Sequence, residues 1–380
     1  MLVFGTRPEA IKLAPVVFAL RARPDDAHVV LCSTGQHRSM LDDALDAFDL
    51  HADIDLNVMR DEQHQTDLLA RLLHGLRPVI DEQRPDAIIV QGDTASVFAA
   101  SLAGFLAGVP VAHVEAGLRT RDRRSPFPEE IYRRLTGVTA RLHFAPTPRA
   151  RQNLLGEGVE PEQVFLTGNT IVDALESMRE RSGAVPLPDG LGDCQRRMIL
   201  VTAHRRESFG PDFREICLAL REIVDTHQDV ELVYPVHLNP NVQRPVHEIL
   251  GQRERIHLLG PLPYKQFVRL LLRADLILTD SGGIQEEAPA LGKPVLVLRE
   301  KTERPEAIAA GVARLVGANR ERIVAEAHTL LTNPDAYRQM ARKTFVYGDG
   351  LAATRIAEVL IDGRMSTPPF DPTTSAASVI

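Results

Sequence analysis

Short runs of aliphatic and β-branched residues recur along the whole of this 380-residue chain, each followed by an amphipathic stretch long enough for a helix. They are VVLCST, AIIVQ, VPVAHVE and LHFAP in the first half, then MILVTA, ELVYPV, RIHLLG, DLILTD and KPVLVL. Strand and helix in strict alternation build parallel sheets with crossover helices, so the fold class is α/β and doubly wound. The length exceeds what one hydrophobic core usually serves, which predicts two domains of roughly 170 residues each. Two helices end in a glycine followed by x-Pro-Val and a strand, at Gly108 and at Gly292, so both halves follow one plan.

The segment ERSGAVPLPDGLGD interrupts the alternation with Gly, Pro and Asp. This predicts an N-terminal Rossmann-like domain over 1–175, a hinge over 176–196 and a C-terminal Rossmann-like domain over 197–350. A last helix over 351–363 should pack back on the N-terminal domain, ahead of a flexible Pro-rich tail over 364–380. Only Met1 to Phe4 precede the first turn, a short or clipped first strand such as a mis-set start codon would leave.

Composition removes several function classes. With 44% hydrophobic and 25% charged residues the chain reads as globular rather than fibrous or disordered. A net charge of −7 opposes general nucleic-acid binding, which needs a surplus of Lys and Arg to displace counterions. No apolar run reaches the ~18–20 residues of a membrane span, and MLVFGTRPEA has no signal-peptide pattern, so a cytoplasmic location is expected. Cys32, Cys194 and Cys217 stand in no metal-ligand spacing, and neither disulfide nor zinc is expected.

Certain turns carry more than architecture. VFGTRPE reads as a strand, a glycine turn and a helix opened by Pro8 at its first position; its free N–H groups suit an anion, and equally a capped helix with Arg7 and Lys12 on its surface. No G-x-G-x-x-G follows a strand, which argues against NAD. LTDSGGIQEEA ends a strand in a Ser-Gly-Gly turn and starts a helix, a place for a phosphate. Glu286 and Glu287 are expected in that helix's first turn, as dipole partners or as a grip on ribose hydroxyls. Asp93, Glu115 and Glu129 lie near strand ends or helix starts, where one acid alone reads as a cap but three on one edge suit acid–base work. His204, in TAHRRES, suggests anion recognition, while His237, in YPVHLNP, suits a ligand or a cap equally.

Taken together, GTRPEAIK, GQHR, GDT, HVEAGLRT, PFPEE, TGNT, HRRESFG, PVHLNPNV, TDSGGIQEEAP and REKTERPE resemble the bacterial non-hydrolysing UDP-N-acetylglucosamine 2-epimerases, from the first strand to about Gly350. The resemblance implies a GT-B-like pair of Rossmann-like domains with the site in the cleft between them. It also implies a homodimer, no metal and no NAD. Arg7, Arg304, Ser281, Gly282 and Gly283 would hold the diphosphate of UDP, Glu287 the ribose, and Phe267 would lie near the uracil. Lys12, Asp93, Glu115, Glu129, Arg133 and His204 would surround the sugar and the breaking C1–O bond. The implied reaction interconverts UDP-GlcNAc and UDP-ManNAc by loss of UDP to 2-acetamidoglucal and its re-addition.

The match has departures. The family usually has Asn where this chain has Tyr132, and often Thr where it has Ala95; both are positions that could touch substrate. Many bacterial members also bind a second UDP-GlcNAc as activator, and of that site Gln36, His37, Arg205 and His237 are the matching candidates. Ser39, Glu62 and Arg134 depart from the usual Gln, Arg and Glu, which predicts altered or weakened activation. The rival readings are a 2-epimerase for a modified UDP-sugar such as a diacetamido-uronic acid, a hydrolysing variant releasing ManNAc, a GT-B glycosyltransferase and a catalytically silent sensor.

Overall fold

The computed structural model describes the chain except residues 37, 61–63, 184, 189–190, 192–194 and 374–380. It divides into two compact units, one of Met1–Ser177 together with the described residues from Tyr347 onward, the other of Met178–Val346.

The first unit runs β1 (Leu2–Phe4), α1 (Arg7–Arg21), β2 (Leu31–Ser33), α2 (Arg38–Ala47), β3 (Ile54–Asp55), α3 (Gln65–Gln83), β4 (Ile88–Gln91), α4 (Ala95–Leu106), β5 (Val111–Val114), α5 (Glu129–Thr139), β6 (Leu142–Ala145), α6 (Pro148–Gly156), β7 (Val164–Leu166) and α7 (Thr170–Gly183). Among the described residues its strands form one sheet ordered β3-β2-β1-β4-β5-β6-β7. Each recorded pairing is parallel, with Val3 opposite Cys32 and Val90 opposite His113. Strands buried on both faces explain why the apolar runs are continuous rather than alternating. Cys32 lies fully buried, and burial pushes its thiol up to about 12.

The second unit runs β8 (Arg197–Thr202), α8 (Pro211–Thr226), β9 (Val230–Pro235), α9 (Pro240–Leu250), β10 (Ile256–Leu259), α10 (Tyr264–Arg273), β11 (Leu276–Thr279), α11 (Gly282–Ala290), β12 (Val295–Val297), α12 (Pro305–Ala309), β13 (Ala313–Leu315), α13 (Arg320–Thr332) and α14 (Pro334–Met340). Its described strands form a sheet ordered β10-β9-β8-β11-β12-β13. Gly108 and Gly292, the paired helix-ending glycines, both take positive φ, 71° and 68°, which lets a helix turn directly into a strand.

The chain then returns to the first unit. Helix α15 (Ala352–Asp362) packs on α1. The Ala353 N–H donates to Asp173 Oδ1 at 2.8 Å, and Arg355, itself buried, donates to the Thr167 carbonyl at 2.8 Å and to both oxygens of Asp349.

Three expectations change here. Helix α7 runs on to Gly183, through the start of the segment expected as a hinge, because ALESMRERS is made of good helix formers. The units divide inside it, between Ser177 and Met178, and again before Tyr347, so residues 347–350 belong with the first unit rather than the second. The part of the expected flexible tail that is described is largely exposed but anchored: Phe370 is buried and its N–H donates to the Leu166 carbonyl at 3.0 Å. An aromatic ring with a place beside Gly168 outweighs the disordering bias of the prolines around it. Residues 374–380 of that tail, and Cys194, lie outside the described residues. No described helix is long and apolar enough to cross a membrane.

Candidate active site

Each sheet reverses its winding once, between β1 and β4 in the first unit and between β8 and β11 in the second. Side chains beyond the carboxyl ends of strands flanking such a reversal have no helix above them, and this is where open α/β sheets hold ligands. The turn after β1 carries Arg7 and the loop after β4 carries Asp93; in the second unit the loop after β8 carries His204 and the turn after β11 carries Ser281.

In the first unit, Gly5 is required by crowding, since a Cβ there would collide with the Thr34 and Ser96 hydroxyls. Thr6 caps α1, which places Arg7 first in the helix and Pro8 second, one position later than expected. The Gly5 N–H, left over by the turn, donates to Glu9 Oε2 at 2.5 Å, and the Thr6 N–H to the same oxygen at 3.3 Å. Burial pushes Glu9 up to about 7. One turn on, Lys12 is buried and donates to both oxygens of Glu115, at 2.8 and 2.7 Å. Glu115 also accepts from Gln91 Nε2 and, at 3.4 Å, from Asn169 Nδ2. Its backbone is left-handed, φ 63°, a costly conformation for a residue with a Cβ and one that persists when the surroundings hold the side chain where it is needed.

Asp93, 28% exposed at its side chain, accepts from Arg133 Nε and Nη2 at 2.8 and 2.7 Å. Arg133 rises from α5, whose first residue is the half-buried Glu129. Glu130, fully buried, accepts from Arg133 at 3.4 Å and from the Thr120 and Arg121 N–H groups, and so ties α5 to the loop after β5. Arg119 turns inward and donates to both carboxylate oxygens of Glu157. Under the loop, His113 Nε2 meets the Gly92 carbonyl at 2.8 Å, and burial lowers this imidazole to about 3. Gln36 accepts from Ser96 at 2.8 Å beside the Gly5 turn, while its expected companion His37 lies outside the described residues, as does Glu62.

In the second unit, Ser281 is the N-cap of α11 and its hydroxyl makes no cap bond. Gly282 and Gly283 are the first two helical residues, so Glu286 and Glu287 fall in the second turn and not the first as expected: Ser281 is extended and the two glycines already belong to the helix instead of forming a separate turn. The Arg304 guanidinium lies over this helix start, where a Cβ on Gly282 would stand 2.6 Å from its Nη1, and it is held by Glu286 at 2.6 Å and Glu303 at 2.5 Å. Glu287 Oε1 accepts from the Tyr264 hydroxyl at 3.1 Å, on α10, the helix that also carries the half-buried Phe267.

His204 and Arg205 follow β8. Both backbone N–H groups donate to one oxygen of Asp280, at 2.6 and 2.7 Å, and Arg205 Nε donates to the Asp280 carbonyl at 3.0 Å. The His204 and His237 rings stack, their centroids 5.2 Å apart and their planes 12° from parallel.

Within the first unit, then, Lys12 meets Glu115 and Asp93 meets Arg133; within the second, Arg304 meets the start of α11 and His204 meets His237. Sequence reading missed Glu9, Gln91, Glu130, Asn169, Tyr264 and Asp280. The second glutamate of PFPEE and the aspartate ahead of Ser-Gly-Gly were visible signals for two of them, and Thr6-x-x-Glu9 spells a capping box; Gln91, Asn169 and Tyr264 pair with residues remote in sequence.

The two departures are absorbed by packing. Tyr132 is buried and stacks on Phe98, centroids 5.4 Å apart, and Ala95 belongs to the same apolar cluster.

Residues 19–361 match the family model described as UDP-N-acetylglucosamine 2-epimerase. The chain is 52% identical over 371 residues to the UDP-N-acetylglucosamine 2-epimerase of Escherichia coli K12, covering 96% of this chain and 98% of that one. It is similar in structure to the UDP-GlcNAc 2-epimerase of Neisseria meningitidis bound to UDP-GlcNAc, with a TM-score of 0.92 and 43% identity over 95% of this chain and 99% of that one. The S. aureus MnaA–UDP co-structure superposes with a TM-score of 0.88 and 41% identity, covering 98% of each chain.

Proposed function

The chain belongs to the UDP-N-acetylglucosamine 2-epimerase family, and from that premise we propose that it reversibly inverts C2 of UDP-GlcNAc to give UDP-ManNAc. The observation that carries the reading is the buried Lys12–Glu115 pair, with Gln91 and Asn169 on the same carboxylate and a left-handed backbone beneath it. Ion pairs in low dielectric are costly to build, and one that converges with two further donors on a residue of left-handed backbone is best explained by chemistry.

The C2 proton of GlcNAc has no adjacent carbonyl to acidify it. Departure of UDP from C1 supplies the acidity through oxocarbenium-like charge at the neighbouring carbon. The C1–O electron pair leaves with the β-phosphate oxygen, a carboxylate takes the C2 proton, and the C–H pair becomes the C1=C2 bond of 2-acetamidoglucal. Protonation of C2 from the opposite face and return of UDP to C1 give the epimer. Inversion needs proton-transfer groups on two faces, which is the role proposed for Asp93, Glu115 and Glu129. Asp93 and Glu115 are each held by a cation, Arg133 and Lys12 respectively, which fixes where each carboxylate points. Lys12, Arg133 and His204 would complete the surroundings of the sugar. The proposed UDP grip is Arg7, Ser281, Gly282, Gly283 and Arg304 on the diphosphate, Glu287 on the ribose and Phe267 near the uracil. With Tyr132 and Ala95 packed inward, neither departure calls for a different substrate.

Gln36, His37, Arg205 and His237 are proposed to form a weakened activator site. A homodimer is proposed as well, supported by Phe105, Leu106, Leu135 and Val138, large apolar residues exposed on α4 and α5.

Proton NMR of UDP-GlcNAc with the protein in D2O, without metal or NAD, tests the reaction. UDP-ManNAc carrying deuterium at C2 is expected. Free ManNAc would mean hydrolysis, and an unchanged spectrum would mean another substrate or a transferase.

A further inference from the structure

Asp280 has one carboxylate oxygen used by the His204 and Arg205 N–H groups, and one that is buried without a hydrogen-bond partner among the described residues. The side chain is wholly inaccessible, and the second oxygen stands 3.7 Å from His204 Nδ1. A buried carboxylate oxygen left without a donor is costly, and the ring nitrogen facing it is positioned to relieve that cost by a small rotation. Catalytic contacts of this kind are commonly looser without ligand. The other face of the His204 ring is set by the stacked His237, whose Nδ1 accepts the Asn239 N–H at 3.1 Å. That bond fixes the orientation of the His237 ring against His204. Below the pair, Tyr234 is pinned by its hydroxyl to the Ala203 carbonyl, and the Thr202 and Thr279 hydroxyls join β8 to β11 at 2.6 Å, so the backbone on which both His204 and Asp280 sit is fixed.

Resting on the reading above, we infer that Asp280 is a positioning residue for His204: it holds the proton on Nδ1 and leaves Nε2, on the far side of the ring, as the nitrogen that works on the substrate. His237 keeps the ring in that plane. Asp280 directly precedes Ser281, so one residue orients both the imidazole and the helix start proposed to meet the diphosphate. With Nδ1–H held by Asp280, Nε2 takes up a second proton from solvent beside the anionic diphosphate, gives it to the departing β-phosphate oxygen as C1–O breaks and takes it back on re-addition.

The decisive variant is Asp280→Asn. Its Oδ1 can still accept the two backbone N–H groups, which preserves the loop, but its amide presents a donor to Nδ1 and so selects the opposite tautomer, with the proton on Nε2. Nitrogen-15 NMR of the ring, assigned by the signal lost in His204→Gln, should show Nδ1–H in the unaltered protein and Nε2–H in Asp280→Asn. Epimerisation should show kcat falling by about 10²- to 10⁴-fold with KM changed only a few-fold. His237→Phe, which keeps a flat ring, should retain more kcat than His237→Ala. An Nε2–H tautomer in the unaltered protein, or an unchanged tautomer in Asp280→Asn, would overturn the assignment. The tautomer readout needs no turnover: absence of epimerisation in the unaltered protein would sink the proposed reaction and leave the Asp280 assignment standing or falling on the NMR alone.

Discussion

Gly282→Ala separates binding from stability at one atom. The new methyl group would stand 2.6 Å from Arg304 Nη1 and 2.8 Å from Cζ, so the guanidinium must retreat by about 0.8 Å to reach ordinary contact. It cannot simply swing away, because Glu286 and Glu303 hold it from the other side. Gly282 has ordinary helical geometry, and alanine in a helix gains up to ~1 kcal/mol over glycine. Strained bonds to the two glutamates cost on the order of 1–2 kcal/mol, so the opposing effects leave Tm within about 5 °C. The proposed contact to diphosphate has no such compensation. A charge-assisted hydrogen bond is worth about 1.5–3 kcal/mol, and losing one raises Kd for UDP by roughly 10- to 100-fold. Isothermal titration with UDP and thermal unfolding on the same sample read both numbers. A Kd within twofold of the unaltered protein, with the same Tm, would show that Arg304 does not meet the diphosphate.

Further outcomes are expected. Asp93→Asn, at a partly exposed side chain, should lose at least about 10²-fold in kcat while UDP-GlcNAc still binds; turnover within threefold would remove Asp93 from the mechanism. Asp173 is pushed up from 3.8 to about 7 by burial, so its contribution to stability is complete below pH 3.8 and lost as pH rises through 7. Asp173→Asn should therefore raise Tm more at pH 8 than at pH 5, and an equal shift at both would refute the cause. His113 and His143 act in the opposite sense, lowered by burial to about 3 and about 4, and their contribution is lost as pH falls below 6.5. UDP-ManNAc turnover should be hyperbolic and equal with and without added UDP-GlcNAc, and a strict need for UDP-GlcNAc would exclude weakened activation. Val138→Glu should yield monomers in analytical ultracentrifugation; an unchanged mass would exclude the α4–α5 face as the dimer contact.

The sequence announced the interior strands plainly because each is buried on both faces and reads as an unbroken apolar run. The strands it hid, Ile54–Asp55, Val164–Leu166 and Ala313–Leu315, are short edge strands with half-exposed residues, where burial leaves little pattern. Site acids were legible by place: Asp93 and Glu115 stand just past strand ends. Their partners were not, since Lys12 lies 103 residues from Glu115 and Asn169 lies 54 away. Tyr132 misled for the converse reason. Its neighbours in the motif are polar and functional, yet its own ring faces the helix beside it.

Among the described residues, the first unit is not complete until those from Tyr347 onward join it, whereas the second is drawn from Met178–Val346 alone. A chain leaving the ribosome therefore exposes the sheet of β1 to β7 long before α15 exists to cover α1. The unit made second can finish folding first. Until translation passes Arg355, Asp173 has no Ala353 N–H to bind and the Thr167 carbonyl no Arg355, so the half bearing Asp93 and Glu115 would await that helix for its final form. A premature stop near residue 346 would spare a whole domain and still deny the other its closing helix.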